Sequence, residues 1–158
     1  MEMRTQRTIE RLLSQTHGKR PLAIVMGGSV NGLSFVRSLG RRGIPILLLD
    51  SEPLIGTYSR YGTTILLPQP GKSPDEWVGL LEFLGSRLNV QGVIFSTSDA
   101  HGLFVSQHAR RLERYFKFLV PSAEATAQIV DKKAQYTIAK SVGIPIPQTH
   151  FPKDLDEV

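Results

Sequence analysis

The chain has 158 residues, of which 41% are hydrophobic and 21% are charged. This composition suits one globular domain with a real core and an added segment at one end. The absence of cysteine excludes disulfides, thiolate metal sites and cysteine nucleophiles. No apolar run approaches the ~20 residues needed to cross a bilayer, and the N-terminus lacks the apolar stretch of a secretory signal. We therefore expect a cytoplasmic protein without membrane contact.

The formal net charge of +5 comes mostly from the first 20 residues. Five basic side chains stand there against two acidic ones: Arg4, Arg7, Arg11, Lys19 and Arg20 against Glu2 and Glu10. The rest of the chain is nearly balanced, and no aromatic residues interleave with a basic stripe. We expect a solvated basic leader at residues 1–20 and no nucleic-acid partner. Residues 4–16 predict a short amphipathic helix, either packed on the main domain or detached from it.

From residue 22 onward, apolar runs alternate with helical patterns. Continuous apolar strands separated by helices predict a parallel sheet that is covered on both faces. We expect five strands in the order 3-2-1-4-5, at residues 22–26, 44–49, 63–67, 93–95 and 118–120. The fold class is therefore α/β, with a Rossmann-like five-stranded parallel sheet.

The helices of this pattern begin at recognisable residues. One is expected at 33–39, and a capping box that starts at Ser73, with Pro74 at the first helical position, predicts the next. A third is expected from Asp99 to about Tyr115. Beyond residue 121, Ser122 and Asp131 predict the starts of two more helices. Prolines hold 144–147 extended, and 148–151 is expected to be a strand.

A glycine-rich turn follows the first predicted strand, with the sequence Gly27-Gly28-Ser29-Val30-Asn31-Gly32. Glycines let such a turn tighten, and free amides at the start of the next helix can bind an anion. The fingerprint of NAD-binding domains needs a glycine where Ser29 stands, although Asp50 imitates their ribose-binding acid. Two interpretations stay open here: a loop that contacts a ligand, and a turn that only packs the helix on the sheet.

A second polar corner, Ser96-Thr97-Ser98-Asp99, stands at the carboxyl end of the fourth predicted strand. Ligands of open α/β sheets bind at this edge. The hydroxyl groups and the following helix N-terminus can hold a carboxylate. Ordinary helix capping by Ser98 or Asp99 explains the same residues, and the two roles can coexist.

The histidines give little support for a metal site. His101 and His108 are seven residues apart on one predicted helix, and no third ligand stands at a useful spacing. We expect two surface histidines and no metal. Ser29 and Ser98 lack the G-x-S-x-G surroundings of a serine nucleophile.

Four stretches of the chain stand in a fixed order between residues 22 and 150. They are the glycine turn with Arg37-Ser38-Leu39-Gly40 behind it; Gly43-Ile44-Pro45-Ile46 leading to Asp50; Thr97-Ser98-Asp99-Ala100; and Asp131-Lys132 followed by Ala139, Gly143-Ile144-Pro145 and Pro147-Gln148-Thr149. In this order and spacing they resemble the ATP-grasp superfamily. The resemblance is to carboxylate–amine ligases related to D-aspartate ligase and, more distantly, to carbamoyl-phosphate synthetase.

The resemblance implies a three-part enzyme in which a Rossmann-like pre-ATP-grasp domain precedes two domains that clamp ATP. Such ligases activate a carboxylate as an acyl phosphate, which an amine attacks to give an amide or peptide bond, with ADP and phosphate released. The full-length enzyme would use ATP and Mg²⁺ and would act on small carboxylate and amine substrates. Lysines, arginine and Mg²⁺ would supply binding and charge neutralisation.

By position, the resemblance assigns Lys132 to nucleotide binding. It assigns a further set of residues to loops that face the substrate: Gly27, Gly28, Ser29, Asn31, Thr97, Ser98 and Asp99. The second phosphate-binding lysine and the acidic Mg²⁺ ligands should lie beyond Val158, so no catalytic residue or metal ligand is expected within the chain. We expect these 158 residues alone to be inactive and to hold no cofactor tightly.

The expected organisation has three parts: the basic leader at 1–20, the pre-ATP-grasp domain at 21–121, and a linker with the truncated start of an ATP-grasp domain at 122–158. Two alternatives remain, a stand-alone nucleotide- or ligand-binding module and an NAD(P)-binding oxidoreductase domain. Ser29 and the 131–149 stretch count against the oxidoreductase. For the parent protein, a homodimer is one assembly that remains open.

Overall fold

The computed structural model describes residues 3–16 and 20–152, and the chain divides into two units, Met1–Val120 and Pro121–Val158. Residues 17–19 of the predicted leader and residues 153–158 of the predicted truncated domain lie outside the described residues. No helix in the described part of the chain is long and apolar enough to span a membrane.

Unit 1 is built on five strands: β1 (Ala23–Met26), β2 (Ile46–Asp50), β3 (Thr63–Leu66), β4 (Gly92–Ser96) and β5 (Phe116–Lys117). They form one sheet in the order β3-β2-β1-β4-β5, and every neighbouring pair is parallel. The α/β fold class, the all-parallel sheet and the strand order predicted from the sequence are confirmed. Every residue of β1 and β2 is buried, which is why both strands read as unbroken apolar runs.

The helices of unit 1 are α1 (Met3–Gln15), α2 (Val30–Gly40), α3 (Pro74–Gly85), α4 (Asp99–Gln107) and α5 (Ala109–Leu112). A 3₁₀ turn (Ile55–Tyr58) lies between β2 and β3. Successive residues of a strand point to opposite faces of the sheet, and the side chains of the two faces belong to two core clusters. The larger cluster includes buried residues of α1, α3, α4 and α5, and the smaller one includes Val36 of α2.

The leader's helix is packed and not detached. Ile9 and Leu12 of α1 are each 1% exposed and belong to the larger core cluster. Their spacing of three residues puts both side chains on one helix face, and the basic side chains Arg7 and Arg11 remain exposed. The predicted amphipathic pattern therefore marks a structural element of unit 1.

Four local predictions are wrong. The fifth strand lies at Phe116–Lys117 and not at 118–120, where Leu119 is fully exposed. Ser73 precedes α3 but makes no side-chain cap bond, so the capping box does not form. The helix expected to reach Tyr115 ends at Gln107 and is followed by the separate α5. Residues 148–151 form no strand, since no partner strand lies beside them in the described residues.

Unit 2 contains two helices, α6 (Ala123–Val130) and α7 (Lys132–Ser141). Ser122 caps α6 by accepting from the Ala125 amide at 3.2 Å, and Asp131 caps α7 by accepting from the Ala134 amide at 3.0 Å. Both caps were predicted from the sequence, because Ser and Asp are favoured at this position.

Candidate functional site

The carboxyl ends of three central strands lie side by side. Met26 of β1 is in register with Leu49 of β2 and with Ser96 of β4. The amide of Gly27 donates to the Leu49 carbonyl at 2.8 Å, and the amide of Thr97 donates to the Met26 carbonyl at 3.0 Å. The fold therefore brings together the glycine turn and the Thr97 corner that the sequence singled out separately.

Asp50 holds the glycine turn against β2. Its side chain is 4% exposed, and its Oδ2 accepts from the Gly28 amide at 2.5 Å. Its Oδ1 accepts from the amides of Ser51 at 2.6 Å and Glu52 at 3.3 Å. Three backbone donors stabilise the buried carboxylate and fix its orientation. A buried acid whose two oxygens are already engaged is poorly placed to bind a ribose, which counts against the NAD(P) alternative.

Gly27 and Gly32 are required by close packing. Gly27 has a φ of +101°, and a Cβ there would overlap the hydroxyl of Thr97. A Cβ on Gly32 would overlap the backbone carbonyl of Gly27. The start of α2 therefore sits directly on the end of β1, as the packing interpretation of the turn predicts.

The first turn of α2 faces outward without a side-chain cap. Ser29, Val30 and Asn31 are exposed, and the Ser29 side chain makes no cap hydrogen bond. Amides at the start of a helix have no partner within the helix and carry a partial positive charge. An anion can bind at such a position. If the glycine turn contacts a ligand, residues 29–31 would make the contacts, because Gly27 and Gly28 are buried.

Thr97, Ser98 and Asp99 have separate roles in the structure. The Thr97 hydroxyl is shared between the carbonyls of Met26 at 2.9 Å and Gly27 at 3.1 Å, so it ties β4 to the turn. Ser98 caps α4, and its Oγ accepts from the His101 amide at 3.4 Å. Asp99 is the first residue of α4 and is exposed. Thr97 and Ser98 therefore both have structural roles: Thr97 joins β4 to the glycine turn, and Ser98 caps α4.

His101 is a buried residue, and the expectation of a surface histidine at this position is wrong. It is 6% exposed, its Nδ1 lies 2.6 Å from Ser98 Oγ, and its ring centroid lies 5.4 Å from that of Trp77. Nε2 is buried and has no hydrogen-bond partner among the described residues. Burial lowers the pKa of His101, and the negative charge of Asp50 opposes this in part.

A helical pattern in the sequence contains the signal for this burial. His101 shares the spacing i, i+3, i+4 with Phe104 and Val105, which are both buried. The polar character of histidine favoured a surface position, and its place on the apolar face of α4 was therefore not predicted. His108, which follows the last residue of α4, is half-buried, and its pKa is also lowered by burial, with Arg111 as a second cause.

The 3₁₀ turn forms a rim beside the glycine turn. The Gly56 amide donates to the Gly28 carbonyl at 2.7 Å, and Gly56 is buried against that backbone. Ile55 and Tyr58 of the same turn are 59% and 77% exposed. The exposed start of α2 is thus joined to a segment that presents apolar and aromatic surface.

Within the described residues, few groups are arranged to hold a nucleotide or a metal. Lys132 lies in unit 2, is exposed, and donates from Nζ to Gln135 Oε1 at 3.1 Å within α7. Residues 3–16 and 20–152 contain no group of three or more histidine, aspartate or glutamate side chains that could surround a metal ion. Lys132 is therefore an exposed cation with a hydrogen bond inside its own helix, and it contributes to no metal-binding cluster among the described residues.

No protein-family model and no curated protein sequence matches the chain. Among solved structures, its fold is similar to that of N5-carboxyaminoimidazole ribonucleotide synthetase from Thermotoga maritima, with a TM-score of 0.54 and 19% sequence identity. The match covers 86% of this chain and 34% of the synthetase chain. The chain thus spans about a third of the length of that structure, and the likeness at this identity is one of fold.

Proposed function

We propose that this chain is the N-terminal, substrate-side part of an ATP-dependent carboxylate–amine ligase of the ATP-grasp type. The order of its motifs resembles that superfamily, and a solved structure with a similar fold is a synthetase of which this chain matches about a third. The observation that carries the proposal is the uncapped start of α2 at the carboxyl edge of the central strand. Ligands of open α/β sheets bind at this edge.

In this proposal the first turn of α2 binds the carboxylate of the substrate. The amides of Val30 and Asn31 would donate to it, and the exposed side chains of Ser29 and Asn31 offer further polar contacts. Asp50 and Thr97 act from beneath, because their hydrogen bonds hold the turn that positions these amides. The role of this chain is thus to bind and orient the substrate.

The chemical step belongs to the full-length parent protein. ATP and Mg²⁺ would supply the phosphoryl group and neutralise its charge when bound there. By its position in the motif order that resembles the superfamily, Lys132 would contact the nucleotide, and it is an exposed cation at the start of α7. Burying a triphosphate requires several cations and amides together, so Lys132 alone would hold ATP weakly.

The proposed activity can be tested on the full-length parent protein by following ADP release in the presence of pools of small carboxylates and amines. We expect release to require one member of each pool. Hydroxylamine in place of the amine should give a hydroxamate, because it traps an acyl phosphate. Release of ADP that depends on neither pool, with no hydroxamate, would refute the ligase proposal.

The proposed carboxylate position can be tested on the 158-residue chain by soaking crystals with citrate. We expect bound carboxylate density within hydrogen-bonding distance of the Val30 and Asn31 amides. A start of α2 that stays empty at high citrate concentration would favour the interpretation that the turn serves packing alone. An Asn31→Ala variant that binds citrate as well as wild type would limit the site to backbone amides.

A further inference from the structure

A cavity of about 470 Å³ lies at the opposite edge of the sheet, where β2 and β3 begin. Its walls come from the end of α1, the segment before β1, the loop that leads into β2 and the loop before β3. The residues that line it include Arg11, Arg20, Gly43, Arg60, Tyr61 and Gly62. This volume is within the range typical of small-molecule sites. The carboxyl-edge site lies at the other end of β2, beyond Asp50.

Three arginines from three separate segments converge on this cavity: Arg11, Arg20 and Arg60. Among the described residues that line the cavity, none is an aspartate or a glutamate. Within residues 3–16 and 20–152, the ion pair that forms joins Arg111 to Glu82, and none of the three arginines has an acidic partner. Like charges held close together repel one another, so the cavity attracts an anion.

Two of these arginines each donate one hydrogen bond to a neighbouring group. Arg20 donates from Nη1 to the Gly43 carbonyl at 2.9 Å. Gly43 has a φ of +70°, and a Cβ on it would lie 3.0 Å from that same Nη1. Arg60 donates from Nη2 to the Tyr61 hydroxyl at 3.0 Å and lies over its ring. A guanidinium has five N–H donors, so both side chains keep most of theirs for a ligand.

The Tyr61 hydroxyl is a further polar group of this cavity. The guanidinium of Arg60, which donates to this hydroxyl, lowers the pKa of Tyr61, and the positive charge of Arg41 adds to the effect. The backbone of Gly40 packs directly on the Tyr61 side chain, and a Cβ on Gly40 would overlap it. The ring is therefore fixed between α2 and the cavity, and it keeps Arg60 at the cavity wall.

We propose that this cavity binds a small phosphate or diphosphate compound and that it is separate from the site at the carboxyl edge. A guanidinium group pairs with two oxygens of a phosphate through parallel hydrogen bonds. A single carboxylate has only two oxygens, so it would engage fewer of the donors of three arginines than a phosphate or diphosphate would. A concave site of about 470 Å³ suits a compact ligand, whereas single-stranded nucleic acid binds along an extended groove with aromatic residues for its bases. The proposal holds whether or not the parent protein is a ligase.

The test uses the ¹⁵N-labelled chain titrated with inorganic pyrophosphate at roughly 50 mM salt, where screening is modest. We expect saturable shifts of the Gly43 and Gly62 amides. Arg20→Gln and Arg60→Gln should each weaken the apparent affinity by about fivefold, and the double variant should bind nothing measurable. Arg110→Gln is the matched control, because it removes the same charge from an exposed position of α5 outside the cavity.

Several outcomes would overturn the proposal. Absence of shifts at Gly43 and Gly62, or shifts confined to Val30 and Asn31, would place pyrophosphate elsewhere or nowhere. An equal loss of affinity in Arg110→Gln would mean unspecific attraction by net charge. A single-stranded oligonucleotide that binds while pyrophosphate does not would assign the patch to nucleic acid. Unchanged Trp77 fluorescence in each variant checks that the fold is intact, since Trp77 is fully buried in unit 1.

Discussion

Replacing Gly32 by alanine should destabilise unit 1 although it places a better helix former within α2. A Cβ on Gly32 would overlap the carbonyl group of Gly27, which is backbone and cannot rotate away. That backbone is itself fixed, because the Gly27 amide donates to Leu49 at 2.8 Å and its carbonyl accepts from Thr97 at 3.1 Å. Relief therefore requires α2 to move away from β1 or the turn to lose these bonds.

The magnitude follows from two opposing effects. Alanine in place of glycine in a helix contributes up to ~1 kcal/mol of stability. Overpacking costs ~1–3 kcal/mol, and a clash with fixed backbone belongs at the upper end of that range. We expect a net loss of about 2 kcal/mol, or roughly 4–8 °C in Tm for a chain of this size. Gly79→Ala in α3 is the matched control, because a Cβ there meets nothing within 4 Å and should only stabilise.

Urea unfolding followed by the fluorescence of Trp77 measures both variants in one assay. Trp77 is the single tryptophan of the chain and is fully buried in α3, so its signal reports on unit 1. We expect the midpoint of Gly32→Ala to fall and that of Gly79→Ala to stay or rise. A Gly32→Ala chain as stable as wild type would refute the close packing of the glycine turn on β1.

Three further predictions test other parts of the structure. Burial lowers the pKa of His101, so the unfolded chain binds the proton more readily and stability should fall as the pH drops below about 6.5, by at most ~1.4 kcal/mol per pH unit for this group. His101→Gln should flatten urea midpoints measured between neutral and mildly acidic pH, and an unchanged pH dependence would show that His101 is not their cause. Asp50→Asn should lower the free energy of unfolding measured in urea by about 1–3 kcal/mol, because the NH₂ of a buried amide would face backbone donors. Thr97→Ser should be nearly neutral, since the hydroxyl is retained. Equal stability of Asp50→Asn and wild type would contradict the role of Asp50 in holding the turn. Lys132→Ala should weaken ATP binding by the full-length parent and leave the Tm of this chain unchanged, whereas unchanged affinity there would remove Lys132 from the nucleotide site.

The central strands could be predicted from the sequence because burial on both faces leaves a continuous apolar run. Residues 22–26 and 44–49 gave β1 and β2 to within two residues at either end. The fifth strand could not be placed in the same way. Phe116 and residues 118–120 are similarly apolar, so the local sequence does not show which of them forms the strand. Phe116 does, because it pairs with Gly92 of β4. Such a long-range contact leaves no local pattern.

The candidate site was predictable in its location and less so in its details. The glycine turn and the Thr97 corner were both recognised, and the strand order places them together at one edge. The engagement of Asp50 with the Gly28 amide was not foreseen, because it joins residues 22 positions apart. The burial of His101 was missed because the histidine was judged as a metal ligand and not by its helical face.

Calorimetry with MgATP tests the central claim most directly, because the claim places the substrate loops in this chain and most of the nucleotide site outside it. The same titration is run on the 158-residue chain and on the full-length parent protein, with NAD as a second ligand. Both proteins carry Arg20→Gln and Arg60→Gln, so that the arginine cavity does not bind the phosphates of either nucleotide. We predict micromolar ATP affinity for the parent and no measurable heat for the chain with either nucleotide. Micromolar ATP affinity of the chain alone would instead identify a stand-alone nucleotide-binding module, and micromolar NAD affinity would identify an oxidoreductase domain.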